Sequence, residues 1–243
     1  MTILTILQAR MSSTRLPGKV MKPILGEPMM ARQIERLRRA RHLGALVVAT
    51  SVGAEDDVVA GEAERCGALV HRGSLHDVLA RYAGALAEHG PAAHVVRVTA
   101  DCPLTDWRVF DQVVDLQLAS GADYTSNTVD RSYPKGLDVE IVRADLLTAA
   151  AAVAADPYEL EHVTPFFYHR PERFTVRQLV QSPRLDRLRW TVDTLDDYVF
   201  TARVYEALYP SDPAFDSAAI LALPWGRWEG EPLEPGWGQS APR

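Results

Sequence analysis

Ile3-Leu4-Thr5-Ile6-Leu7 leads directly into Gln8-Ala9-Arg10-Met11-Ser12-Ser13-Thr14-Arg15-Leu16-Pro17-Gly18-Lys19. The first five residues form a short apolar run that reads as a buried strand. The polar stretch behind it carries three cations, Arg10, Arg15 and Lys19, separated by Ser12, Ser13, Thr14 and Gly18. Small hydroxyl residues and glycine let backbone N–H groups approach an anion, and three cations can neutralise a polyphosphate. Neither the Walker A nor the dinucleotide glycine spacing is present. On composition alone, the loop reads equally as a phosphate cradle or as a solvated basic turn closed at Pro17-Gly18.

Outward from this strand, short apolar runs alternate with helical patterns. Met30, Ile34 and Leu37 recur at helical spacing and Gly44 stops that helix. Strands are expected at Leu46–Ala49, Ala68–Val70 and Val95–Val98, with helices marked by Val58, Val59 and Ala63 and by Val109, Val113, Val114 and Leu116. Another helix is expected to begin at Ser74, capped by that residue with Asp77 three positions on. The second half predicts a strand over Leu137–Val142 and a helix over Ala144–Ala154. It further predicts a helical or turn-rich stretch over Tyr158–His169 broken at Pro165, a strand over Phe174–Leu179 and a helix over Thr194–Tyr209. Such alternation predicts an α/β fold with a mostly parallel central sheet covered by helices on both faces. Ligands in these sheets bind beyond the carboxyl ends of the strands, which directs attention to the loops after Leu7 and after Val98. We expect one domain over residues 1–224, with a small extra β element and with about 130–142 as a small dimerisation or acceptor element, and a loose tail over 225–243 rich in Gly, Pro and Trp.

With 243 residues, 47% of them hydrophobic, the chain can bury a large core without staples. Its net charge of -6 and scattered cations argue against a nucleic-acid partner. No apolar stretch is long enough to span a membrane. Cys66 and Cys102 lack metal-ligand spacing, and with no signal peptide in view the expected setting is a reducing cytoplasm.

Two acidic segments complement the basic loop. In Thr99-Ala100-Asp101-Cys102-Pro103-Leu104-Thr105-Asp106, an acid directly after a buried strand suits a divalent cation, or simply caps a turn. Asp106 reads as the cap of the following helix, and Cys102 as a small buried residue. In Trp190-Thr191-Val192-Asp193-Thr194-Leu195-Asp196-Asp197, Thr194 and Asp197 form a capping-box pattern. That leaves Asp193 without a local structural task, while Trp190 reads as core.

Taken in order, these segments resemble the cytidylyltransferases that make CMP-activated acidic sugars. They are similar to CMP-KDO synthetase and closer to the SpsF-like spore-coat polysaccharide branch, over about residues 3 to 208. The resemblance implies a Rossmann-like nucleotide-diphospho-sugar transferase fold. It implies that Gln8, Ala9, Arg10, Ser12, Ser13, Arg15, Gly18 and Lys19, with Thr99 and Ala100, hold CTP, and that Arg10, Lys19 and Asp101 are catalytic. Asp101 and Asp193 match the acids that bind Mg2+. The stretch Arg72–Tyr82 is similar to the one that holds the cytosine, with Gly73 and Arg81 near the base. Tyr133–Glu140 and Glu161–Pro165 resemble SpsF-like segments, which makes Lys135, Asp138, Glu140, Glu161 and His162 candidates for the acceptor. A homodimer is also implied. The expected activity is Mg2+-dependent transfer of CMP from CTP to a small acidic acceptor. A glycosyltransferase on the shared fold would need an Asp-x-Asp motif, and here Cys102-Pro103 follows Asp101. A non-catalytic nucleotide-binding relative would be expected to have lost Lys19 or one of the two acids.

Overall fold

The structure is a computed structural model that describes residues 2–231. Strand β1 (Ile3–Gln8) leads through the basic loop and a 3-10 turn to a hairpin of β2 (Pro23–Ile24) and β3 (Glu27–Pro28), then to helix α1 (Met29–Leu37). There follow β4 (Ala45–Ser51), α2 (Asp57–Arg65), β5 (Leu69–Gly73), α3 (Val78–His89), β6 (His94–Thr99) and α4 (Trp107–Ser120). The second half supplies β7 (Tyr124–Ser126), β8 (Glu140–Arg143), α5 (Ala144–Val153), α6 (Pro157–His162), α7 (Pro165–Tyr168), β9 (Val176–Gln178), α8 (Leu195–Leu208) and α9 (Ser217–Ala222).

A seven-stranded sheet in the order β5-β4-β1-β6-β8-β7-β9 organises these elements. Only β8 runs antiparallel to its neighbours β6 and β7. Because β1 is central, both of its faces are buried. Leu7 meets Val48, Val96, Ile34 and Phe110 on one side, and Leu4 and Ile6 meet Val47, Leu79, Tyr82 and Leu147 on the other. The chain leaves β1 toward β4 on one flank and later returns with β6 on the other, so the crevice opens between the ends of β1 and β6. The register pairs Gln8 with Thr99. The basic loop and the acidic loop therefore leave the sheet side by side.

Several local expectations are corrected. Helix α3 starts at Val78, not Ser74. Asp77 is its N-cap, accepting from Ala80 N at 2.8 Å, while Ser74 Oγ accepts from Asp77 N one turn earlier. The expected strand over Leu137–Val142 pairs only from Glu140. Gly136, at φ 116°, lies so close to the Trp190–Thr191 backbone that a Cβ would clash, and the Asn127 side chain occupies the carbonyl of Leu137 and the amide of Val139. The break expected at Pro165 falls at Val163 and Thr164, and Pro165 instead opens α7, where its missing N–H costs nothing. A separate small β element is present at Pro23–Pro28. Its Leu25-Gly26 turn has positive φ at both residues, as a type I′ hairpin turn requires, and Arg32 Nη2 donates to the Leu25 carbonyl at 2.9 Å. β7 was not expected at all. The caps at Asp106 and at Thr194 with Asp197 are present as expected.

The tail expected to be loose from Trp225 is packed as far as Trp228; residues 232–243 lie outside the described ones. Trp228 stacks on Phe200 with ring centres 4.8 Å apart, Trp225 meets the same ring edge-on, and Trp190 Nε1 donates to the Gly226 carbonyl. Large aromatic faces, not a repeating pattern, bury this segment, so periodicity missed it. No helix among the described residues is long and apolar enough to cross a membrane. Trp228→Ala should lower unfolding stability by about 3 kcal/mol, the scale of a lost core Trp. Urea denaturation checks this, and an unchanged midpoint would place Trp228 outside the core.

Candidate active site

The loop after β1 is folded back on itself before it meets any ligand. Gly18, at φ 67°, turns the chain so that its N–H reaches the Met11 carbonyl at 3.0 Å. Met11 N in turn donates to Asp56 Oδ1 at 2.6 Å, and Ser51 N donates to the other oxygen of that buried carboxylate. Burial alone would raise the pKa of Asp56, but the hydrogen bonds from Ser51 and Met11 outweigh it and hold the carboxyl below its ordinary value. Asp56 thus pins the loop to the end of β4.

Lys19 leaves this loop and reaches the acidic side. Its Nζ lies 3.2 Å from Asp101 Oδ2 and 2.9 Å from Asp193 Oδ1, and donates to the Val192 carbonyl at 2.8 Å. Thr99 Oγ1 donates to the other oxygen of Asp101 at 2.6 Å. Arg15 and Arg189 both reach Asp193 Oδ2, at 3.0 and 2.9 Å. Arg189 also clamps Asp197, whose carboxylate accepts from the backbone N–H of Asp193 and Thr194. Around these groups opens a cleft of about 380 Å³, lined on one wall by the basic loop and on the other by Arg97, Glu161 and His162.

Residues 4–210 match the cytidylyltransferase family. The chain is 33% identical to the spore coat polysaccharide biosynthesis protein SpsF of Bacillus subtilis over 84% of this chain and 86% of that protein. The chain belongs to the cytidylyltransferase family. A cytidylyltransferase structure from Leptospira borgpetersenii superposes with a TM-score of 0.89 at 28% identity, covering 97% of this chain and all of that one (100%). The structure of CMP:2-keto-3-deoxy-manno-octonic acid synthetase complexed with CTP shares the fold, with a TM-score of 0.65 at 15% identity over 85% of this chain and 99% of that chain. This cytidylyltransferase is accordingly a nucleotidyltransferase, with the nucleotide-diphospho-sugar transferase fold.

Most of the residues singled out from sequence converge on the one cleft. Gln8, Ala9, Arg10, Ser12, Ser13, Arg15, Lys19, Thr99, Ala100, Asp101, Glu161, His162 and Asp193 all line it. Gly18 does not, because its part is the loop conformation. Asp138 and Glu140 line a second cleft of about 390 Å³ that shares Arg97 and His162 with the first. Gly73 and Arg81 sit behind a third hollow, bordered by Ser74–Asp77 and by Arg10 and Glu161. There Arg81 donates to the Ser74 carbonyl and its side chain fills the space over Gly73. Lys135 is exposed and lines none of the three, its backbone being paired with Leu188 and Trp190. Sequence reasoning missed Asp56, Arg97, Arg131 and Arg189. Only Arg97 carried a visible signal, as a lone cation inside the strand Val95-Val96-Arg97-Val98.

The residues present fit a divalent cation. Two carboxylates converge on one point, now taken by the Lys19 ammonium, at the edge of an open polar cleft. Mg2+ needs only one or two protein carboxylates when phosphate oxygens and water complete its shell. No group of three or more His, Cys, Asp or Glu suited to a metal occurs among the described residues, so a cage made only of such side chains is not the arrangement here.

Burial raises the pKa of Asp193, but the hydrogen bond and charge of Lys19, with the charges of Arg15 and Arg189, outweigh it and hold the carboxyl below the ordinary 3.8. A carboxylate depressed in this way contributes its full stabilisation above the ordinary value and loses it as pH falls through the folded one. Removing Lys19 should therefore move Asp193 upward. Carboxyl NMR titration of Lys19→Met should show Asp193 protonating at higher pH than in the parent. An unmoved titration would mean that Lys19 is not its principal counter-charge.

Proposed function

We propose that this cytidylyltransferase transfers CMP from CTP to a small acceptor, an acidic sugar or a related molecule attacking through a hydroxyl, carboxylate or phosphonate oxygen, and releases pyrophosphate. The observation that carries this reading is the placement of Lys19 between Asp101 and Asp193. An ammonium holds apart two acids that suit a metal, on the same loop that offers Arg10, Arg15 and the Ser12–Ser13 backbone to an anion.

The site is compensated internally. The cations lining the first two clefts, Arg10, Arg15, Lys19, Arg97 and Arg131, each face an acid of the same clefts: Glu161, Asp193, Asp101 with Asp193, Glu140 and Asp138. In this reading Asp101 and Asp193 would hold Mg2+, which would supply Lewis-acid stabilisation of charge on the transferring phosphate. Lys19 and Arg15, with Arg10 and the loop amides, turn to the phosphate chain and stabilise the negative charge that builds on departing pyrophosphate. The acceptor oxygen forms its bond to the α-phosphorus as the bond to the bridging oxygen breaks. Such a transfer relies on positioning and electrostatics rather than on a protein nucleophile.

The third hollow, continuous with the main cleft through Arg10 and Glu161, suits the base, and the second cleft suits the acceptor. Cys66 and Cys102 are both free, in keeping with a cytoplasmic setting, and burial pushes the Cys102 thiol well above its ordinary pKa, which keeps it an uncharged packing group. A homodimer is part of the same proposal.

Pyrophosphate release measured with each of the four nucleoside triphosphates, Mg2+ and a panel of acidic sugars should select CTP. Asp101→Asn should keep the fold and lower turnover about 100- to 1000-fold. Equal use of ATP or UTP would overturn the cytidylyl reading, and near-normal turnover in the variant would overturn the role of Asp101.

A further inference from the structure

Arg97 projects from the middle of the sheet into the wall between two clefts, and it lines both. Its partner is Glu140, directly opposite in the β6–β8 register. Glu140 is itself immobilised: Tyr124 Oη and Thr164 Oγ1 each donate to its Oε1 at 2.6 Å, and the other oxygen receives Arg97 Nη1. Arg97 is therefore held by a single nitrogen. Its Nε is buried without a partner, and Nη2 makes no hydrogen bond to any described residue. Arg131, the other arginine of the second cleft, differs: it spends both Nη groups on Asp138, at 2.5 and 2.9 Å.

A guanidinium offers donors only, so whatever completes Arg97 must bring acceptor oxygens, and a carboxylate or phosphonate accepts most strongly. The side chain is 17% exposed, and such burial strengthens a charged hydrogen bond relative to water. Apart from Val129, the rest of the second cleft is hydroxyl and aromatic, with Thr128, Thr164, Tyr158 and Tyr168 around His162, which suits a polyhydroxylated body. We propose that Arg97 is the specificity-determining residue for the acceptor, receiving its anionic group on Nη2 at the junction of the two clefts, with Glu140 as the positioning residue that fixes the guanidinium. The proposal rests on the reading of the second cleft as the acceptor site. It adds the atom that selects for charge and the place where the charge sits, beside the cleft that receives the phosphates.

The test uses the full chain and matched probes of one carbon skeleton, D-gluconate against D-glucitol and D-galactonate against D-galactitol. Binding is followed by saturation-transfer NMR without nucleotide, and CTP binding is measured separately by calorimetry. The parent should prefer each acid over its alditol by about 10- to 100-fold, the scale of a hydrogen bond to a charged group. Arg97→Lys should reduce that preference. The double variant Arg97→Gln with Glu140→Gln, which replaces the buried pair by neutral groups of similar size, should abolish it while CTP binding stays within about twofold of the parent. No acid preference in the parent, or a preference that survives the double variant, overturns the proposal. A parent that prefers the acids but does not bind CTP would instead sink the nucleotide reading and leave the Arg97 assignment standing.

Discussion

One ammonium group joins the three parts of the chain that make this site. Lys19 belongs to the loop after β1, Asp101 to the loop after β6 and Asp193 to the approach to α8, separated from the lysine by 82 and 174 positions in sequence. Burial works against the charge on Lys19, yet attraction to Asp101 and the bonds to Asp193 raise its pKa above 10.5. The contribution of this cation is therefore complete below its ordinary value and fades only as pH rises through the higher folded one. Each neighbouring constraint serves the same meeting point. The pairing of Gln8 with Thr99 sets the two loops abreast, Asp56 pins the basic loop, and Arg189 with Asp197 holds Asp193 in place.

A site compensated in this way has a consequence for how it binds. Cations left unpaired in a crowded cleft would repel one another, and acids left unpaired would be costly where they are buried. Pairing each with a counter-charge keeps the empty cleft stable. In the proposed reaction a polyanion with a divalent cation would bring both signs at once and let the pairs be exchanged rather than broken. The Arg97–Glu140 pair is the part of this network that stays fixed, because Glu140 is already saturated by Tyr124 and Thr164.

Much of this was legible in the sequence. The apolar run at Ile3–Leu7 and its repeats at Leu46 and Val95 disclosed a parallel sheet, because strands buried on both faces must be continuously apolar. The basic loop and the two acids were also visible, since each stands at the end of such a strand or just outside a capping box. Local order alone could not show that Lys19 bridges the acids, because nothing within one segment encodes a contact across 174 positions. Arg189 looked like an ordinary polar residue, for its role depends on Asp193 and Asp197 turning back toward it. Lys135, read as an acceptor ligand, is exposed and lines none of the three clefts, and Gly136 beside it packs against the Trp190–Thr191 backbone. Trp225 and Trp228 escaped because two isolated aromatics carry no period, although between them they cover Phe200.

We propose that Lys19, which lies between Asp101 and Asp193, turns to the phosphate chain when nucleotide binds. Crystal structures of the same chain without ligand and with CTP and Mg2+ test it most directly. Lys19 Nζ is expected between the two carboxylates in the first structure and against the phosphate chain in the second, where Asp101 and Asp193 would hold the metal. A lysine that remains bridged to both acids with CTP and Mg2+ bound would contradict it.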